Sequence, residues 1–443
     1  MTEPAHASES KPVRRRTSTS KKAGAPASAK AAPDGNDGSG ERPWQWAGPR
    51  GGLRRSAALY NRRIQRMHED WPLLGQAGAA IFSRPGLVEA LLRGRPPIEV
   101  DGRVLDRRAQ LLLTAVERAE VRRAATSGRG PFDPVAMRRE LTFWARKVMP
   151  VRTDVYVRER VIPAVGDTPP IPVRIYRRFG AGVGVGPGVG DGGMRRRRPP
   201  AIVYYHGGGW MVGDLDSHDA SCRLLAAVSG CLVVAVDYRL APEHPFPAAA
   251  NDSLSAYQWV HRHADELGFE PGQVGVMGDS AGGNLAAVVA LEARSGLGDG
   301  VAAPVAQILV YPAVDAHFDT ESYRSMAERF FLTQELMEFY RSSYLPDVAD
   351  RESPKASPLR APDHSGLAPA LVVTAGFDPL RDDGAEYAQV LRAAGVEVEY
   401  RCYDDQIHGF MGMGIIPVCL ALATEIAEAA GRWMRRSAAT TAS

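Results

Sequence analysis

The stretch Val274 to Asn284, VGVMGDSAGGN, reads as a buried strand, a one-residue corner and the start of a helix. Within it Gly278, Ser280 and Gly282 fit G-x-S-x-G. In that pattern small neighbours permit a strained turn that lifts a serine hydroxyl above a sheet, at a helix amino terminus. Ser280 is therefore the candidate nucleophile. By itself the pentapeptide carries little, because the spacing arises by chance in Gly- and Ser-rich chains and equally suits a plain strand-to-helix turn. Its partners elsewhere in the chain decide the matter.

Around this segment continuous apolar runs alternate with helical stretches, the pattern of a mostly parallel sheet covered by helices on both faces. Strands are expected at Ala201 to Tyr205, Leu232 to Val236, Gln273 to Met277, Ala306 to Val310, Leu371 to Thr374 and Val396 to Cys402. Helices should start near Ser217, Ala248, Ala281 and Asp383, with a last one near Val418 to Met434. Upstream, Val155, Val157 and Val161, then Val173 and Ile175, alternate with polar residues and read as antiparallel first strands. Asp315 to Leu367 is too long for a simple crossover; its part Leu332 to Leu345 looks helical, with Thr333 as cap.

At 443 residues the chain suits one α/β catalytic domain, 151–437, with appended segments and an insertion at about 315–367. Residues 1–42 are rich in Ala, Ser, Pro, Gly and basic side chains and should be disordered. Residues 43–150 have helical spacing: Leu111, Leu112, Ala115, Val116 and Ala119 form one stripe, and Trp71, Phe82, Phe143 and Trp144 read as packing residues. This segment is expected to be a helical cap. Gly188, Gly190 and Gly193 match G-x-G-x-x-G, but four arginines and Pro199-Pro200 follow where a dinucleotide site needs a helix, so a flexible surface loop is the better reading.

A hydrophobic fraction of 44%, a charged fraction of 24% and a net charge of +3 are those of an ordinary globular chain and name no partner. The basic tail gives only a weak footing for a polyanion, and no nucleic acid is expected. Cys222, Cys231, Cys402 and Cys419 lack C-x-x-C pairing and accompanying His spacing, so no metal is expected and free thiols are. No apolar run reaches the length of about 18 residues that a membrane span needs, and no signal-peptide core opens the chain, which favours the cytoplasm.

An alcohol is a poor nucleophile at neutral pH, so Ser280 needs a base, and the base an orienting carboxylate. Asp378 follows one late strand and is followed by Pro379; Asp382 and Asp383 read instead as caps of the next helix. His408 follows the last strand, beside Gly409. The order Ser280, Asp378, His408 is that expected on an α/β-hydrolase sheet. His206-Gly207-Gly208-Gly209 follows Tyr205, and the amides of Gly208, Gly209 and Ala281, with Gly207 as a further candidate, could hold the oxyanion of an attacked acyl carbonyl.

HGGGW at His206, DYRLAPEHPFPAA at Asp237 to Ala249, GDSAGGNLA at Gly278 to Ala286, DPLRDDG at Asp378 to Gly384 and HGF at His408 together resemble the hormone-sensitive-lipase family of α/β-hydrolases, the bacterial family IV carboxylesterases. The resemblance runs roughly from Val100 to Met434. It implies an α/β-hydrolase fold with a mostly parallel sheet of about eight strands and a helical cap, and a serine esterase for short- to medium-chain acyl esters that needs no cofactor. On it Ser280, Asp378 and His408 are the triad, and the HGGG glycines and Ala281 the oxyanion donors. Asp237, Tyr238, Arg239 and Glu243 fall in a segment that reads as structural. A small-molecule ester is the expected partner, and self-association into a homo-oligomer is compatible with the reading. An amidase, deacetylase or formamidase would use the same parts, and a binding protein on the same fold is disfavoured by the intact triad.

Overall fold

Five runs of the sequence are buried on both faces, and they form the middle of an eight-stranded sheet. In this computed structural model the described residues are 71–127, 132–180, 198–298 and 300–440. All belong to a unit spanning Trp44–Ser443. The expected basic tail and the Gly-rich run at 188–193 lie outside them.

The strands are β1 (Val155–Ile162), β2 (Ile171–Arg178), β3 (Ala201–Tyr205), β4 (Leu232–Val236), β5 (Val274–Asp279), β6 (Gln307–Val310), β7 (Ala370–Phe377) and β8 (Val398–Ile407). Their order is β1-β2-β4-β3-β5-β6-β7-β8. β1 and β2 are antiparallel, as is β2 against β4, and every other neighbour is parallel. The expected strands are all present. Runs such as LVVAV in β4 are apolar throughout because parallel strands face helices on both sides.

Successive side chains divide between the two layers. Ala201, Val203 and Tyr205 of β3 join the layer with α6 (Ala248–Arg262), α7 (Ala281–Glu292) and α9 (Arg381–Ala393). Ile202 and Tyr204 join the opposite layer with α5 (Asp219–Ser229) and α10 (Pro417–Thr440). Register then sets the site: Tyr205 pairs with Gly278, Asp279 with Val310, Val310 with Val373, and Phe377 with Ile407. These strands therefore end along one edge, and the loops that follow them meet there.

Before the sheet come α1 (Trp71–Phe82), α2 (Pro85–Leu91), α3 (Arg107–Ser127) and α4 (Pro134–Val148), with a two-residue hairpin ladder at Glu99–Val100 and Arg103–Val104. Two expectations here are corrected. The fully buried residues of α3 among those described are Ala109, Gln110, Leu113 and Thr114; of the predicted stripe, Leu111 and Leu112 pack half-buried against the core and Ala115 is exposed. The polar members fit because Gln110 Nε2 donates to Pro96 O and Thr114 Oγ1 to Gln110 O. Phe143 and Trp144 are 53% and 59% exposed, so they stand outside the core. The inner side of α4 is held by Met137 and Leu141, half-buried against the core, and by polar contacts. Arg138 donates to Met211 O, Ala241 O and both Glu243 oxygens, and Thr142 Oγ1 to Asp214.

After β6, α8 (Gln334–Tyr344) forms where helix was expected, its amino terminus capped by Thr333 Oγ1 accepting from Leu336 N. Cys222, Cys231, Cys402 and Cys419 are free thiols. Among the described residues no helix is long and apolar enough to cross a membrane.

Candidate active site

The corner after β5 is forced by packing. Ser280 has φ 55° and ψ −120°, a backbone conformation that costs a non-glycine residue about 1–3 kcal/mol and persists only where its surroundings fix it. A Cβ on Gly278 would lie 2.1 Å from Gly282 O, and one on Gly282 would lie 1.9 Å from Tyr205 O. Only hydrogen fits at either place. Backbone bonds then lock the turn, with Ser280 N donating to Val310 O and Asn284 N to Ser280 O. Asn284, fully buried, donates from Nδ2 to Ala313 O and Ala356 O and so ties α7 to the segment after β6.

The structure brings the three predicted side chains together. Ser280 Oγ lies 2.9 Å from His408 Nε2, and His408 Nδ1 lies 2.7 Å from Asp378 Oδ2. A carboxylate only accepts, so Nδ1 carries the hydrogen and Nε2 is left to accept the serine proton. Asp378 is fully buried, and its Oδ1 accepts from Leu380 N, which fixes the carboxylate plane. The tilted Tyr311 ring lies 4.7 Å from the imidazole, centroid to centroid.

Asp382 and Asp383 do not cap the next helix. α9 starts at Arg381, with Leu380 at the cap position and no side-chain cap bond. Asp382 Oδ2 accepts from Ser322 N instead. Asp383 is buried, and burial, with the nearby charges of Asp315 and Asp378, pushes its carboxyl well above the usual range.

The glycine loop after β3 divides its labour. Gly207 N donates to Asp279 Oδ1 at 3.0 Å, so this amide is already engaged and leaves the expected oxyanion set. Gly208, at φ +121°, and Gly209, at φ +59°, turn the chain, and Gly208 O accepts from Met211 N and Val212 N. A Cβ on Gly209 would meet the Tyr340 ring of α8 at 2.3 Å, which places that helix against the loop. Ala281 opens α7, where helix amides are unsatisfied and the dipole favours negative charge.

Asp279 is the site residue that sequence reasoning missed. Its Oδ1 also accepts from Tyr204 Oη at 2.6 Å, and His218 Nε2 stands 3.8 Å away. Burial works to raise this carboxyl, but His218 and the Tyr204 hydroxyl outweigh it and hold it below the usual range. Its signal lay in view, as an acid inside an otherwise apolar strand end. Its partners, however, are distant in sequence. His206 stacks on Tyr238 at 4.3 Å, and Tyr238 Oη donates to His206 O, so Tyr238 is structural as expected. Arg239 and Glu243 pair with Asp252 and Arg138 respectively. Among the described residues no group of three or more His, Cys, Asp or Glu side chains is arranged to hold a metal ion.

A strained serine corner on a mostly parallel sheet, with a histidine and a buried acid on neighbouring strand ends, defines an α/β-hydrolase, and residues 202–412 match the model of the alpha/beta hydrolase fold. The chain is 40% identical over 332 residues to carboxylic ester hydrolase LipN of Mycobacterium tuberculosis, covering 74% of this chain and 83% of that one. It is 41% identical over 219 residues to carboxylesterase NlhH of the same species, covering 49% and 68%. Among solved structures, a thermostable esterase from Pseudomonas putida superposes with a TM-score of 0.65 at 33% identity, covering 77% of this chain and 99% of that one. The chain belongs to the hormone-sensitive-lipase-like family of α/β-hydrolases, and with it to the carboxylic ester hydrolases.

Proposed function

We propose that the chain hydrolyses short- to medium-chain acyl esters through an acyl-enzyme, with Ser280 as nucleophile, His408 as base and Asp378 as the acid that orients it. His408 takes the Ser280 proton as Oγ attacks the ester carbonyl, and the carbonyl oxygen becomes negative against the amides of Gly208, Gly209 and Ala281. The carbon–oxygen bond to the alcohol then breaks, and the alcohol leaves with the proton that His408 returns. Water, deprotonated by the same imidazole, repeats the sequence on the acyl-serine and releases the acid. Asp378 stabilises the imidazolium formed in each half.

The observation that carries this reading is the unbroken chain of contacts at 2.9 and 2.7 Å from Ser280 through His408 to Asp378, set beside a corner that only glycines permit. We further assign 151–437 to the catalytic domain, and 43–150 with the insertion at about 315–367 to a cap. Tyr340 against Gly209, and Arg138 on Met211 and Ala241, support that division. The test is hydrolysis of p-nitrophenyl esters from acetate to palmitate, with matched anilides and the Ser280→Ala variant. A short- to medium-chain optimum that the substitution lowers by roughly a million-fold is expected. Near-normal cleavage by the variant would overturn the assignment of Ser280, and preference for the anilides would make the enzyme an amidase.

A further inference from the structure

The segment between β6 and α8 holds several non-glycine residues at positive φ, Tyr311, Phe318, Arg329 and Phe331, and the corner at Phe331 is one that the reaction scheme does not use. Leu332 N donates to Phe330 O at 2.8 Å, closing a three-residue turn whose central residue, Phe331, has φ +70°. This is the rare and strained hand of the three-residue turn, and a positive φ is a true outlier for a bulky residue. Arg329, two positions earlier, has φ +79°, and Gln334 N donates to Ala327 O to close the loop.

Both neighbours of Phe331 are anchors. Phe330 is buried, with its ring 5.3 Å from that of Phe377, the residue before Asp378. Leu332 is buried in the opposite layer of the core. Phe331 itself is 45% exposed, an apolar ring held out of the core by a strained backbone. It also has an address. A Cβ on Gly409, the residue after His408, would lie 3.5 Å from the Phe331 ring. Strain of this kind gathers where a side chain must be presented, as it does at Ser280.

We infer that Phe331 selects the alcohol part of the ester, favouring bulky apolar or aromatic alcohols; the inference rests on the proposed triad. When the ester carbon–oxygen bond breaks, the departing oxygen must receive the proton held on His408 Nε2. The alcohol therefore lies on the His408 side of the site. The carbonyl oxygen lies across from it, toward Gly208, Gly209 and Ala281, where Tyr340 packs. Phe331 stands on the first side and Tyr340 on the second, so the loop before α8 supplies one wall and α8 itself the other.

The test compares kcat/KM of the wild type, Phe331→Gly and Phe331→Leu on two series. In one the acyl group is acetyl and the alcohol ethanol, butanol or benzyl alcohol; in the other the alcohol is ethanol and the acyl group runs from acetyl to hexanoyl. Phe331→Gly should lower the benzyl-to-ethyl preference by roughly tenfold, while the hexanoyl-to-acetyl ratio stays at the wild-type value. Phe331→Leu should keep part of the preference. Glycine accepts φ +70° without strain, so the melting temperature of Phe331→Gly should hold or rise. A lowered melting temperature with an equal fall on all esters would make the residue structural, and a change confined to the acyl series would put it on the wrong side. Wild-type enzyme inactive on every ester would overturn the esterase reading and this inference together; Ser280-dependent activity with an unmoved alcohol preference would overturn this inference alone.

Discussion

At the scale of single residues the site turns on which hydrogen bonds are already taken. Gly207 and Gly208 are neighbours in a run of glycines, yet the Gly207 amide serves Asp279. The buried carboxylate thus fastens the glycine loop to the strand end that carries Ser280, while Tyr204 supplies its second bond. Asp378 makes the complementary choice: one oxygen accepts from Leu380 N and the other faces His408 Nδ1 at 2.7 Å. Replacing Asp378 by Asn keeps the shape but presents an amide that can donate to Nδ1, which favours the tautomer whose Nε2 carries hydrogen and cannot accept from Ser280. The expected loss in kcat is roughly ten-thousand-fold, with folding preserved, measured by steady-state rates beside circular dichroism. A variant within tenfold of wild type would remove Asp378 from the role.

At the scale of elements the glycine spacing around Ser280 works as a steric rule. In Gly282→Ala the new methyl would have to sit 1.9 Å from Tyr205 O, a backbone atom of the neighbouring strand that cannot swing aside. α7 must then move away from β3, carrying the Ala281 amide with it, at a cost of about 1–3 kcal/mol in stability and most of the activity. Denaturation midpoints and kcat of the variant should fall together; an active, fully stable variant would show that the close approach is not needed. This part of the fold was legible because glycine, apolar strands and capping residues act locally. Thr333 capped α8 as read, and the strand runs stood where the apolar pattern put them. What escaped depends on contacts made across the fold. The buried face of α3 takes in Gln110, which the bond to Pro96 O allows, as well as apolar residues, and Asp383 is drawn inside at the first turn of α9 instead of capping it. α4 is anchored through Met137, Leu141, Arg138 and Thr142, which leaves Phe143 and Trp144 outside, against the rule that large aromatics pack inward.

For the whole molecule, the strand ends gather a buried and a half-buried ionisable group whose effects on stability oppose each other. His206 is buried at the end of β3, and burial, aided by His218, pulls its imidazole from 6.5 down to about 4. Between those values the unfolded chain binds a proton that the native one refuses, so this group makes stability rise with pH through that window. Asp237, after β4, goes the other way: burial and the charge of Asp214 push its carboxyl from 3.8 up to about 6. Here the native chain keeps a proton the unfolded one has released, so this contribution is full below 3.8, falls as pH rises and is gone above about 6. Each gap corresponds to about 3 kcal/mol, so the two largely cancel across the shared window. Asp237→Asn should break the balance. Compared with wild type, the variant should gain stability above pH of about 6, where it no longer buries a charge, and should lose stability more steeply as pH falls toward about 4, where His206 acts unopposed. Urea midpoints of both proteins taken across that range provide the measurement. Curves that run parallel would mean that Asp237 titrates alike in the folded and unfolded chains, and that its place at the end of β4 does not hold its charge back.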